Sequence, residues 1–163
     1  MKRLHRQQFL QLLGFGGLGY VSSRLIQQLS PYDAPQLDKS IVREFVAAGH
    51  SNMDRVKTLL EAHPSLLNAA HDWKMGDFET CLGAATHVGF KELAQFLIEQ
   101  GAQTNIFTAT MFGKIEVVKP MLTAFPETIH AKGPHGLSLL YHATIGGEEA
   151  REVKEYLESL GAK

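Results

Sequence analysis

The chain has 163 residues, with 16 Lys+Arg against 17 Asp+Glu for a formal net charge of −1, and is 44% hydrophobic and 20% charged. That suits one globular domain: it is too apolar for a disordered chain and too neutral for bulk nucleic-acid binding. The single cysteine, Cys81, excludes an internal disulfide and any multi-thiolate metal site.

The charge is unevenly divided. Residues 1–30 hold Lys2, Arg3, Arg6 and Arg24 with no acid, giving +4, and the remainder carries −5. Met1–Gln8 is basic, Phe9–Val21 is apolar apart from Gln11, and Val21-Ser22-Ser23 offers small or β-branched residues. Basic, apolar and small, in that order, is the layout of an export signal. The 13-residue stretch spans roughly 20 Å as a helix, short of a ~30 Å hydrocarbon core. Four glycines (Gly14, Gly16, Gly17, Gly19) lower the stretch's hydrophobicity further. Arg6-Gln7-Gln8-Phe9-Leu10 resembles the twin-arginine signal motif, with Gln7 where the second arginine belongs. That departure leaves Sec and twin-arginine export both open. No cysteine follows the apolar stretch, which excludes a lipoprotein anchor. Two other readings of residues 1–30 stand beside a cleaved signal: an uncleaved membrane tether, and a structural helix of a cytoplasmic protein.

Residues 31–37 carry two prolines and read as a linker. Beyond them one pattern recurs: a small Ala or Thr, two variable residues, Gly or Ser, then an amphipathic run. Its closing positions are Ser51, Gly89, Gly113 and Gly147, spaced by 38, 24 and 34 residues. The runs that follow carry Val56/Leu59/Leu60, Leu93/Phe96/Leu97, Val118/Met121/Leu122 and Val153/Tyr156/Leu157/Leu160. Offsets of three and four put each set on one helix face. Each unit is therefore helix, tight turn, helix, with a glycine expected to allow positive φ in the turn. Pro120 falls inside the second helix of unit three and predicts a kink or a late start there. The 38-residue interval contains an enlarged connection, Ala69–Glu79, with the only tryptophan, Trp73. The 24-residue interval leaves no room for a hairpin between Asn105 and Ala109.

Units of this length and layout resemble ankyrin repeats. Thr80-Cys81-Leu82-Gly83-Ala84-Ala85, Gly89 and Leu97–Ala102 carry the likeness best, with Cys81 and Gly83 departing from the Thr-Pro-Leu-His opening. Unit four repeats it from Gly136 to Ala143 and ends Gly161-Ala162, while units one and three end Ala62-His63-Pro64 and Ala124-Phe125-Pro126. The resemblance covers residues 38–163. It implies an all-α solenoid of about four helix-turn-helix repeats with short or missing β-hairpin fingers. Two segments, His71–Thr80 and Gly133-Pro134-His135-Gly136, are similar to small exported bacterial ankyrin proteins. That closer likeness implies nothing about activity.

Candidate chemistry is sparse. Cys81 opens a helix at a buried repeat position and reads as a packed small hydrophobe rather than a nucleophile. His50, His63, His71 and His87 lack i,i+4 spacing, and no His-Glu-x-x-His run exists. His135 and His142 can be brought near His130 by the turn at Gly136, with no carboxylate placed to complete that cluster. Glu148-Glu149 suits a helix start, and Asp72 and Asp77 flank a Gly76 turn. No Gly-x-Ser-x-Gly or nucleotide fingerprint exists. No cofactor, metal or catalytic residue is expected.

Surface remains. In an ankyrin register the variable positions Gly49/His50, His87/Val88, Met111/Phe112 and Ile145/Gly146 point toward the binding face. With Trp73, Met75 and Phe78 on the long finger, His87, Val88, Met111 and Phe112 form the expected partner-binding patch. Alternatively Trp73 and Phe78 fold back over the shortened third unit, where Gly83 leaves room for a ring. The expectation is a monomeric protein–protein interaction module of the bacterial periplasm or envelope, with no membrane insertion of the mature domain. A periplasmic ligand- or metal-binding protein using loop histidines is the alternative.

Overall fold

The first helix of every pair starts at a side-chain cap. In the computed structural model, which describes residues 35–163, Asp38, Thr80, Asn105 and Ser138 each accept a backbone N–H from two or three residues onward. The pairs are α1 (Lys39–Ala48) with α2 (Met53–Ala62), and α3 (Cys81–His87) with α4 (Lys91–Glu99). They continue as α5 (Ile106–Met111) with α6 (Ile115–Ala124), and α7 (Leu139–Gly146) with α8 (Arg151–Ser159). Among the described residues the chain is mostly helical, with one two-stranded antiparallel sheet, β1 (Ala70–Asp72) against β2 (Phe78–Thr80). Gln36–Lys163 form one compact unit. The expected export signal, and the linker as far as residue 34, lie outside the described residues. Among the described residues no helix is long and apolar enough to cross a membrane.

The helical stripes face two apolar clusters. Phe45, Val46, Val56, Leu93 and Leu97 are buried in the first, which α1 to α4 build and Met111 completes. Val118, Leu139, Val153 and Leu157 fill the second, between α5 and α8. Burying each such side chain contributes about 1.5–3 kcal/mol, so the stripes and not helix propensity hold the short helices together. The two clusters meet where α3 lies beside α5, and there Thr86 and Thr108 approach to 3.4 Å between hydroxyls.

The closing glycines Gly89, Gly113 and Gly147 have φ of +73, +64 and +65, as expected. Unit one closes at Ser51, and its Gly49 is right-handed, with φ −54. A side chain is excluded there by packing, since a Cβ would lie 2.8 Å from the Cys81 carbonyl oxygen. Pro120 neither delays nor breaks α6, which starts at Ile115 and continues to Ala124. The helix tolerates it because Pro120 and Glu116, the residue whose carbonyl loses its donor, are both exposed to water.

Gly113 combines both demands on a turn glycine. Its φ is +64, and a Cβ would collide with the Glu149 backbone. Gly113→Ala is expected to lower unfolding stability by about 2 kcal/mol or more, read as a drop in the urea midpoint at constant m-value. A loss below about 0.5 kcal/mol, the range of ordinary surface substitutions, contradicts the packing described.

Candidate metal centre

The hairpin builds the site by strand alternation. His71 pairs with Glu79 across β1 and β2, and residues two apart share a face, so His71, Trp73, Asp77 and Glu79 project to one side. Glu79 is 1% exposed although it carries a carboxylate. Its Oε2 accepts the Trp73 indole N–H at 2.7 Å. Around it stand three histidines from three other places in the chain. His87 Nδ1, on the last turn of α3, is 2.9 Å from Oε1. His50 Nε2, in the turn after α1, is 3.5 Å from Oε2, and His135 Nε2, in the turn before α7, is 3.5 Å from Oε1. One donor atom from each of the four residues lies within 4.8 Å of the others.

The second nitrogens of two rings are already committed. His50 Nδ1 is 3.1 Å from the Ala47 carbonyl oxygen, which can only accept, so Nδ1 donates. His135 Nδ1 is 2.9 Å from Asp77 Oδ2, and the His135 backbone N–H donates to Oδ1 at 2.8 Å. That backbone hydrogen bond is the main cause holding the Asp77 carboxyl below its ordinary range; desolvation opposes it, and the His135 ring adds to it. An ionised Asp77 accepts, so His135 also donates from Nδ1. Each ring therefore turns Nε2 toward Glu79. In a neutral ring that nitrogen is a lone pair facing carboxylate lone pairs, a repulsive arrangement that a cation between them converts into binding. Metal-ligating histidines have this pattern, one nitrogen on the ion and the other on a carbonyl or carboxylate.

Among the described residues three buried side-chain atoms lack any aligned hydrogen-bond partner, Thr110 Oγ1 on α5 and, at this site, Glu79 Oε1 and His87 Nδ1. The last two are close to each other, but the direction of approach is wrong for a hydrogen bond. Orphaned polar atoms in an interior carry a desolvation cost of about 1–3 kcal/mol each, and both point into the cluster. Burial, the largest influence on Glu79, pushes its carboxyl up. Contact with His87 and the Trp73 N–H, with the charges of His87 and His50, outweighs burial and holds it below the ordinary range. Glu79 is thus an anion in an apolar setting, which needs a positive charge beside it.

Three imidazoles and one carboxylate suit zinc and the neighbouring divalent transition metals, rather than calcium or magnesium, which take oxygen donors. Four donors around zinc at about 2.0–2.1 Å stand about 3.3 Å apart, so donors within 4.8 Å need to close by up to about 1.5 Å. Cys81 does not join them. Burial first, and the Glu79 charge second, push its thiol up to about 12, so it stays protonated.

The expected partner-binding patch does not form as one surface. Met111 is fully buried, because α5 lies inside the array and its side chain completes the first cluster. His87 is 7% exposed and faces Glu79. Trp73 is half-buried against its own hairpin and the His50, His71 and His135 rings, and does not cover the third unit. The atoms nearest to where a Gly83 Cβ would sit belong to Thr80, Glu79 and Pro134, at 3.4–3.6 Å. Phe112 lines a groove with Ile98, Val117 and Met121. Met75, Phe78 and Val88 are exposed. His130 is exposed in a helical turn, and His142 is buried against Phe107 with Nδ1 on the Ser138 carbonyl. His130, His135 and His142 therefore make no cluster; His135 reaches His50 and His87 instead. Glu79, the site's carboxylate, is not singled out by the sequence, and Asp77, expected only to flank the Gly76 turn, orients His135.

No family model matches the chain, and no curated protein matches it. What the site can hold is decided by its donors.

Proposed function

We propose that this protein is a divalent transition-metal-binding protein, built as a four-unit ankyrin-type array. Support for the array comes from the four helix pairs, their repeated turns and the single hairpin finger. One observation carries the metal reading: a fully buried carboxylate with three histidine nitrogens converging on it, two of the four residues holding atoms that no protein group satisfies. Zinc is the reference ion, and cobalt and nickel fit the same donors. No reaction is assigned to the centre. The layout of residues 1–30 supports export, which gives the protein a periplasmic or envelope setting in this proposal.

Zinc is expected to bind one-to-one in calorimetry on the chelator-treated protein, while calcium and magnesium do not compete. Nickel or copper is expected to quench Trp73, the only tryptophan. Glu79→Gln and His87→Ala are each expected to weaken zinc binding at least 100-fold with far-UV dichroism unchanged. Binding should weaken as pH falls, because the ligating nitrogens must be unprotonated. Equal affinity in the native protein and both variants overturns the assignment.

A protein partner is a second reading, favoured by Met75 at 103% and Phe78 at 62% relative exposure on the finger. Apolar side chains presented at a hairpin tip suit a partner's pocket. In-cell crosslinking of the tagged chain should yield a discrete adduct that a Met75→Ser/Phe78→Ser variant loses at unchanged melting temperature and zinc affinity. An adduct that survives in that variant contradicts this reading.

A further inference from the structure

Three of the four donors belong to the first half of the array and one to the second. His50 follows α1, Glu79 lies on β2 and His87 on α3, all beside the first apolar cluster. His135 lies on the turn Pro134–Gly136, which leads into α7 and the second cluster. The turn reaches back past an entire unit. It can do so because only Gln100–Asn105 separate α4 from α5, so the third unit has no finger in the way. Pro134 packs beside Gly83, 3.6 Å from where a Cβ would sit.

The turn packs through Gly133 on Phe107 and His142 and through the His135 ring on Trp73 and His87, but few hydrogen bonds hold it. The Gly133 N–H donates to the Leu137 carbonyl at 2.9 Å and a bridge joins Lys132 to Ser138, both within the turn itself. Across the gap the hydrogen bonds run to Asp77, whose side chain is 30% exposed against 35% for His135. A pair that wet contributes little. His135 also has φ 59 and ψ 20, a left-handed conformation that a non-glycine residue holds only where its surroundings demand it. With Nδ1 donating to Asp77, a neutral His135 ring leaves an unprotonated Nε2 facing the Glu79 carboxylate.

We propose, resting on the metal reading above, that the bound ion is a latch: it fixes the Lys132–Ser138 turn onto the finger hairpin, and the turn opens when the ion leaves. Metal occupancy then controls a loop that joins the second unit to the fourth. The turn is also the route in for the ion, since His50 and His135 are the two donors that reach the surface while Glu79 and His87 form the floor.

Hydrogen exchange on the full chain, with zinc or with chelator, tests this, with calorimetry on the same samples. Zinc is expected to slow exchange across residues 131–138 at least 10-fold and to leave α2 unchanged. His135→Asn is the informative variant, because asparagine tolerates the left-handed conformation and keeps the backbone bond to Asp77 while removing the imidazole. It is expected to fold, to bind zinc 10- to 100-fold more weakly, and to leave the turn exchanging as in the metal-free protein. One-to-one zinc binding with no change across 131–138, or undiminished affinity in His135→Asn, overturns the latch and leaves the metal site standing. No zinc binding in the native chain overturns both.

Discussion

The finger side of this protein is organised by the burial of one negative charge. An unpaired carboxylate in an interior costs several kcal/mol after relaxation, and among the described residues no lysine or arginine pairs with Glu79. Its neighbours are the Trp73 N–H and three imidazoles. That constraint accounts for Trp73 folding back onto Glu79 and for Asp77 orienting His135. Each feature alone is an ordinary turn detail. Together they place positive or polarisable groups on every side of one buried anion.

Repetition supplies the rest of the geometry. Successive helix pairs set corresponding turns side by side, so the ring of His50 from the first turn meets His87 from the second at 5.0 Å between centroids. The third unit breaks the repeat by omitting its finger, and the fourth unit's turn occupies the space. The centre therefore needs both the regularity of the array and its one irregularity. Cys81 shows the same economy in reverse: beside the anion and cut off from water, its thiol is kept protonated and packs as an apolar group.

The helices were legible because their stripes repeat at three and four residues, a signal that needs no tertiary contact. Four helix pairs in the expected order follow from it. The site was not, because its donors stand at positions 50, 79, 87 and 135, separations that no local periodicity links. Part of the signal was present: the two-residue alternation of His71, Trp73, Asp77 and Glu79 puts polar groups on the inward face of a strand. The two segments singled out for their likeness, His71–Thr80 and Gly133–Gly136, are the two that touch. What hid the contact was the missing third finger, read as a defect of the array rather than a passage across it. His87 and Met111 failed as surface residues for a related reason, since the inner helices are too short and too enclosed to expose the positions before their turns.

The most direct test is the zinc absorption-edge spectrum of the zinc-loaded protein, which reports the atoms bound to the ion. This account predicts a first shell of nitrogen and oxygen at about 2.0–2.1 Å with the outer-shell scattering of three imidazoles, and no sulfur at about 2.3 Å. A shell with a sulfur neighbour, or with at most one imidazole, would contradict it.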